Sequence, residues 1–223
     1  MSAPPRPVSP DRLPGVLADL IDAVPSEGPA LRVGVDGHPA TDPAGLADAL
    51  ADRLRALGRP TLRAGADWFL RPASVRLERG RTDPDAYYDD RLDVAALRRE
   101  LLDPLGPGGN GRYLPTLWDP GTDRATRAGY STAPARAVLL LDGSLLLGRG
   151  LPLDLTVHLR LSPAAVDRRA DPGERWVLPA YERYRAEVDP DRSADVVVRL
   201  DDPRHPALTV RERPDIIPRR ANP

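Results

Sequence analysis

A short apolar run, Leu31–Val35, ends in Asp36-Gly37, and a helical pattern opens near Pro43 with Leu46, Leu50, Leu54 and Leu57 on one face. Between them lies Gly37-His38-Pro39-Ala40-Thr41-Asp42-Pro43-Ala44. Strand, loop and helix at this spacing are the setting of a Walker A loop, GxxxxGK followed by Ser or Thr. There backbone N–H groups and the helix N-terminus hold phosphates, the Lys neutralises them, and the hydroxyl binds Mg²⁺. Gly37 matches the first Gly, but Asp42 stands at the second, Pro43 at the Lys and Ala44 at the hydroxyl residue.

Each departure removes a separate requirement. Asp42 can accept hydrogen bonds from the N–H groups that should meet phosphate, acting as a helix N-cap. It also brings a negative charge: two unit charges about 4 Å apart repel by roughly 4 kcal/mol at an effective dielectric near 20. At about 1.4 kcal/mol per tenfold, that is a few orders of magnitude in affinity. Pro43 supplies neither a backbone donor nor a cation, and Ala44 supplies no metal ligand. Asp-Pro is a good helix start, so the segment predicts a self-capped helix end. A tight turn that never served a nucleotide would read the same way.

Nothing elsewhere in the chain replaces the missing amine. All 32 basic residues are Arg, which excludes Schiff-base chemistry, an ammonium clamp on phosphate and a Lys base. There is no Cys, hence no disulfide, thiolate metal site or thiol nucleophile. The formal net charge of −1 argues against a broad nucleic-acid-binding surface. His38, His158 and His205 show no metal-ligand spacing, and no metal is expected. No apolar run is long enough to span a membrane. Met1–Pro10 is Pro-rich without a signal-peptide core, so the cytoplasm is the expected compartment.

The elements around the loop read as α/β. Residues 1–10 form a flexible lead, and Asp11–Val24 has helical spacing with an acidic cap and Pro14 in its first turn. Thr61–Ala66 is a second strand after the Gly58-Arg59-Pro60 stop. Residues 67–134 are polar and rich in turn formers, with Val94–Leu102 the one firm helix. Ala137–Leu141 suits a central parallel strand, and Asp154–Leu161 another. Ser162 caps a helix running to Arg169, Trp176–Glu187 is helical, and Asp195–Arg199 is a last strand. One domain over residues 11–200 follows, with an extended Pro/Arg-rich tail at 201–223.

Several segments recur in a recognisable order: VGVDG at 33–37, ADWF at 66–69, RPASVR at 71–76, GRTDPDAYYDD at 80–90 followed by Asp93, LLDPLGPGG at 101–109, VLLLDG at 138–143 and AEVDP at 186–190. In this order and spacing the chain resembles the uridine kinase-like branch of the P-loop nucleoside kinase/phosphoribulokinase superfamily, in its actinobacterial form. The resemblance covers about Leu31 to Val198. It implies a three-layer P-loop kinase fold with a parallel central sheet. It also implies that Asp67 is the general base toward an acceptor hydroxyl, that Phe69, Arg71 and the Tyr87–Tyr88 region bind the acceptor, and that Asp142 lies near the metal. Phosphoryl transfer needs a positioned hydroxyl, a base and cationic charge on the phosphates. The departures fall on the donor side: the altered loop, and a lid cut to Asp167-Arg168-Arg169 through Arg175.

Bland readings stand beside these. Asp67 and Asp142 can cap strand ends, Tyr87 and Tyr88 can pack, and Arg71, Arg76, Arg79 and Arg81 can pair with Glu78, Asp83 and Asp85 or hold an anion. Arg81, Arg168 and Arg169 complete the expected ligand-binding set. The favoured reading is a degenerate kinase homologue with no cofactor, binding a nucleoside- or sugar-like molecule or a partner, with no nucleic acid and no membrane; a homo-oligomer is left open. One alternative is an active uridine kinase-type phosphotransferase with Mg-ATP and Arg in place of Lys. The other is a different enzyme reusing the cleft, with Asp67 as acid or base.

Overall fold

The computed structural model describes residues 4–211. Seven strands form the main sheet: β1 (Arg6–Pro7), β2 (Ala30–Gly37), β3 (Thr61–Gly65), β4 (Ala137–Gly143), β5 (Leu155–Arg160), β6 (Val196–Arg199) and β7 (Ala207–Val210). Their order is β1-β7-β6-β5-β2-β4-β3. The four inner pairings from β6 to β3 are parallel, and β7 joins β6 antiparallel with β1 beyond it. All eight residues of β2 are buried, as expected of a central strand covered on both faces.

Helices α1 (Leu13–Asp22) and α2 (Pro43–Ala56) cover one face, where Leu17, Ile21, Leu50 and Leu54 meet Val33, Val35 and Val157. On the other face Phe69, Leu97, Leu101, Leu102 and Leu105 pack against Leu139 and Leu141. The architecture is a three-layer α/β domain around a mostly parallel sheet. No helix among the described residues is long and apolar enough to cross a membrane.

Three stretches differ from the sequence reading. Asp11 does not cap α1: it lies in a 3-10 turn, Pro10–Arg12, and Arg12 holds the cap position without a side-chain bond. The lead carries β1, and the expected extended tail carries β7. Arg6 stands opposite Leu208 and Pro7 opposite Ala207, with Pro7 on an outer edge where its missing N–H is harmless. Residues 212–223 of that tail lie outside the described residues.

The polar middle is more ordered than its composition suggests. It holds a short helix at Ala73–Arg76 and α3 (Pro84–Asp89), whose Asp83 cap accepts from Ala86 N at 2.7 Å. The expected helix at 94–102 is α-helical over Val94–Leu97 and then widens into a π-turn, Arg98–Leu102. Pro104 has no N–H to donate to the carbonyl of Glu100, and that carbonyl accepts instead from Leu114 N at 2.8 Å. Two further helices, α4 (Pro163–Arg169) and α5 (Leu178–Val188), lie beyond the C-terminal end of β5.

Candidate functional site

The C-terminal ends of β2, β3, β4 and β5 converge on one edge of the sheet, where open α/β folds place their ligands. The loop leaving β2 closes on itself there. Residues Pro39–Thr41 form a 3-10 turn, with Thr41 N donating to His38 O at 2.8 Å and Asp42 N to Pro39 O at 2.9 Å. Ala40 N donates to His38 Nδ1 at 3.1 Å, and the Thr41 hydroxyl to His38 O at 2.7 Å. Asp42 takes a left-handed conformation, φ 54°, which carbonyl-bearing side chains tolerate better than most. Its Oδ1 accepts Gly45 N–H at 3.0 Å, capping α2.

Gly45 is required for that cap, because a Cβ there would lie 2.1 Å from Asp42 Oδ2. The amides of Ala40, Thr41, Asp42 and Gly45 therefore all donate within the loop, and Pro39 and Pro43 have none. Of the residues expected in this loop, Gly37 ends β2 wholly buried, Pro43 is buried in the first turn of α2, and Ala44 is exposed.

Beneath the loop lies a polar cluster that the sequence reading did not assemble. Asp36, 0 % exposed, bonds through Oδ2 to His158 Nδ1 at 2.7 Å and to the Tyr184 hydroxyl at 2.9 Å. Its Oδ1 accepts Leu146 N–H at 2.9 Å. Burial, reinforced by the neighbouring Asp36 carboxylate, pushes the Tyr184 hydroxyl far above the usual tyrosine range. Parallel register sets Asp36 directly opposite His158. The only sequence signal was one ionisable residue at the end of each of two apolar strands.

On the far side, Asp67 sits in a 3-10 turn, Ala66–Phe69, directly after β3. Its side chain is 66 % exposed, and its Oδ1 lies 3.0 Å from Arg91 Nη2. Asp67, Arg91, Tyr87, Ser144 and Arg149 line one pocket, which Pro39 of the loop also borders. Arg91 stacks over the Tyr87 ring at 4.8 Å, and Tyr87 meets Trp176 edge-on at 5.6 Å. Tyr87 and Arg91 also line an adjoining pocket that reaches Arg76, Arg81 and Trp176. Arg149 is held by the carbonyls of Leu145 and Tyr88. Arg91, Ser144 and Arg149 were missed; Arg91 follows the quoted GRTDPDAYYDD segment directly.

The other expected residues divide. Phe69 is 0 % exposed and packs in the core, where it supports the Asp67 turn instead of facing the pocket. Tyr88 is also buried, with Arg183 over its ring at 4.4 Å and Arg149 at 5.0 Å. Arg71 pairs with Asp90 at 3.5 Å. Asp142 ends β4 against Arg63, 2.7 Å away; desolvation raises its carboxyl above the usual range, and Arg63 opposes the shift. Arg169 donates to the carbonyls of Leu200 and Asp201 at 2.8 and 2.7 Å, and Arg168 is exposed, so neither borders the Asp67 pocket. No group of three His, Cys, Asp or Glu among the described residues could hold a metal ion.

No protein-family model matches this chain, and no curated protein matches it. Solved structures do. A possible uridine kinase from Bacillus stearothermophilus superimposes with a TM-score of 0.68 at 22 % identity, over 84 % of this chain and 97 % of that one. A protein named as a candidate fructose transport system kinase, from Silicibacter sp. TM1040, gives 0.60 at 21 % identity, over 81 % and 96 %. The fold is that of the P-loop kinases.

Proposed function

We propose that this protein is a uridine kinase-like P-loop protein whose donor site is degenerate. It binds a small nucleoside- or sugar-like molecule in the pocket at Asp67, in the cytoplasm, without ATP or Mg²⁺ as cofactor. The observation that carries this reading is the loop after β2. Its Asp42 carboxylate occupies the N-terminus of α2, and four of its amides donate to neighbours within the loop. A phosphate would have to displace those bonds, meet the Asp42 charge and do without a lysine.

The substitution of Arg for the missing Lys finds little support. Arg63, which reaches Ala44 O at 3.3 Å, is already held by Asp142 at 2.7 Å and Asp48 at 2.8 Å. The acceptor side keeps the means to bind a hydroxyl-rich molecule. Asp67 is an exposed acceptor, Arg91 is a donor, the Ser144 oxygen can accept while its hydrogen goes to Gly37 O at 2.6 Å, and the Tyr87–Trp176 pair offers aromatic faces for a base or sugar ring.

Calorimetry tests the reading in two arms. Titration with millimolar Mg-ATP is expected to give no binding heat, and micromolar affinity would overturn the degenerate donor site. Titration with uridine, other nucleosides and free pentoses is expected to give saturable binding that Asp67→Asn weakens. ADP release with any of them would establish the active phosphotransferase instead.

A further inference from the structure

A second cavity lies on the opposite side of the loop from Asp67. Its floor is the Asp36, His158 and Tyr184 cluster, and its walls include Leu145, Leu161 and Val166. His38 lines it and is 9 % exposed. The Ala40 amide donates to His38 Nδ1, so in the neutral ring the proton sits on Nε2. Burial lowers the His38 pKa, which keeps the ring neutral. Nε2 has no hydrogen-bond partner among the described residues, and a buried unpaired donor costs about 1–3 kcal/mol.

Arg185 lines the same cavity, is half-buried, and makes no side-chain hydrogen bond or ion pair among the described residues. The cavity continues outward into a groove between α4 and α5, with Val166, Tyr181 and Arg185 lining both parts. The inner part is narrow and suits one oxygen-bearing group. The outer part has room for the body of a small molecule.

We propose that this groove binds a small monocarboxylate, with the carboxylate between Arg185 and His38 Nε2 and the alkyl chain against the apolar walls. A guanidinium fork and one N–H complement the two oxygens of a carboxylate. A phosphate dianion fits less well, because Asp36 lies beneath the cavity and Asp167 and Glu182 stand on the groove's rim. The site is separate from the Asp67 pocket and stands whether or not the donor loop binds ATP.

Butyrate, butyramide and inorganic phosphate, each titrated into the full chain, test the proposal. The readout is calorimetric heat and the ¹⁵N shift of His38 Nε2. Saturable butyrate binding at millimolar concentration or better that moves the His38 signal is expected, at least tenfold weaker in Arg185→Gln and unchanged in Asp67→Asn. The neutral butyramide is expected to bind at least tenfold more weakly than butyrate. No saturable butyrate binding, equal binding of butyramide, preference for phosphate, or an unmoved His38 signal would each overturn it. The last would leave the cavity to water alone. The wild-type His38 shift stands even if the variant misfolds.

Discussion

At the end of β2 the polar groups answer one another, whereas at the end of β3 they face outward. Asp36 and Asp67 each sit at or just beyond the C-terminal end of a parallel strand in the same sheet. Asp36 is fully enclosed and satisfied by a backbone amide, a histidine and a tyrosine. Asp67 is two-thirds exposed with one arginine beside it. The loop above Asp36 repeats the pattern in its backbone, where four amides donate within the loop, and leaves the buried His38 Nε2 without a partner among the described residues. A site that binds a polar ligand must keep groups whose best partner is that ligand. By that measure the Asp67 side leaves polar groups open to solvent, whereas the backbone donors of the β2 loop are taken up within the loop.

The sharpest attempt to break this contrast is truncation of the two aspartates. Asp36→Ala strands three buried partners and is expected to cost about 3–5 kcal/mol in urea unfolding. Asp67→Ala removes an exposed pair and is expected to stay within about 0.5 kcal/mol. Equal costs would erase the distinction between the two sides. Next in size is ligand affinity. Asp67→Asn is expected to weaken the best-binding nucleoside or pentose at least tenfold, roughly 1.4 kcal/mol, without moving the thermal midpoint. A variant with unchanged affinity would remove Asp67 from the binding site.

The α2 cap gives a smaller effect with a diagnostic coupling. Asp42→Ala is expected to cost about 1 kcal/mol. Gly45→Ala gains roughly 0.5–1 kcal/mol of helix propensity but pushes the Asp42 carboxylate off its cap, so alone it is expected to be near neutral or destabilising. In the Asp42→Ala background it is expected to stabilise. Additive costs in the double variant would mean that the cap contributes nothing.

The smallest expected change is in pH dependence. Burial lowers the His38 pKa below its ordinary value, so the unfolded chain binds the proton more readily than the native one. This contribution is full above about pH 6.5 and is lost as pH falls through the folded pKa, at under about 1.4 kcal/mol per pH unit. Unfolding midpoints at pH 7.5 and 5.5 are expected to differ less in His38→Gln than in the wild type. An identical pH slope would show that His38 is not held neutral by the fold.

Much of this was legible in the sequence. The strands at 30–37, 61–65, 137–143, 155–160 and 196–199 were visible as short apolar runs, and the Asp67 turn followed from the end of β3. The middle was less legible. The caps of α3 and of the helix at Val94 are single aspartates, Asp83 and Asp93, within a polar stretch, and the π-turn follows from one proline. Phe69 and Tyr88 were expected at the ligand. Their sequence neighbours reach the pocket, but these two side chains turn inward, and one residue's difference in a short helix or 3-10 turn decides that direction.

The sequence by itself determined that the β2 loop lacks the second glycine, the lysine and the hydroxyl residue of a Walker A loop. The reason is local: proline has no N–H wherever it stands, alanine has no hydroxyl, and an aspartate three residues before a helical amide will cap it. Only the tertiary structure decided what lies beneath that loop. Asp36 meets His158 and Tyr184 across 122 and 148 residues, because β2 and β5 pair in one particular parallel register and α5 packs over their ends. Nothing near any of the three residues in sequence specifies that register; it follows from burying the apolar faces of the whole sheet at once. The same burial left His38 and Arg185 together at a second cavity and Asp67 open to solvent at the first.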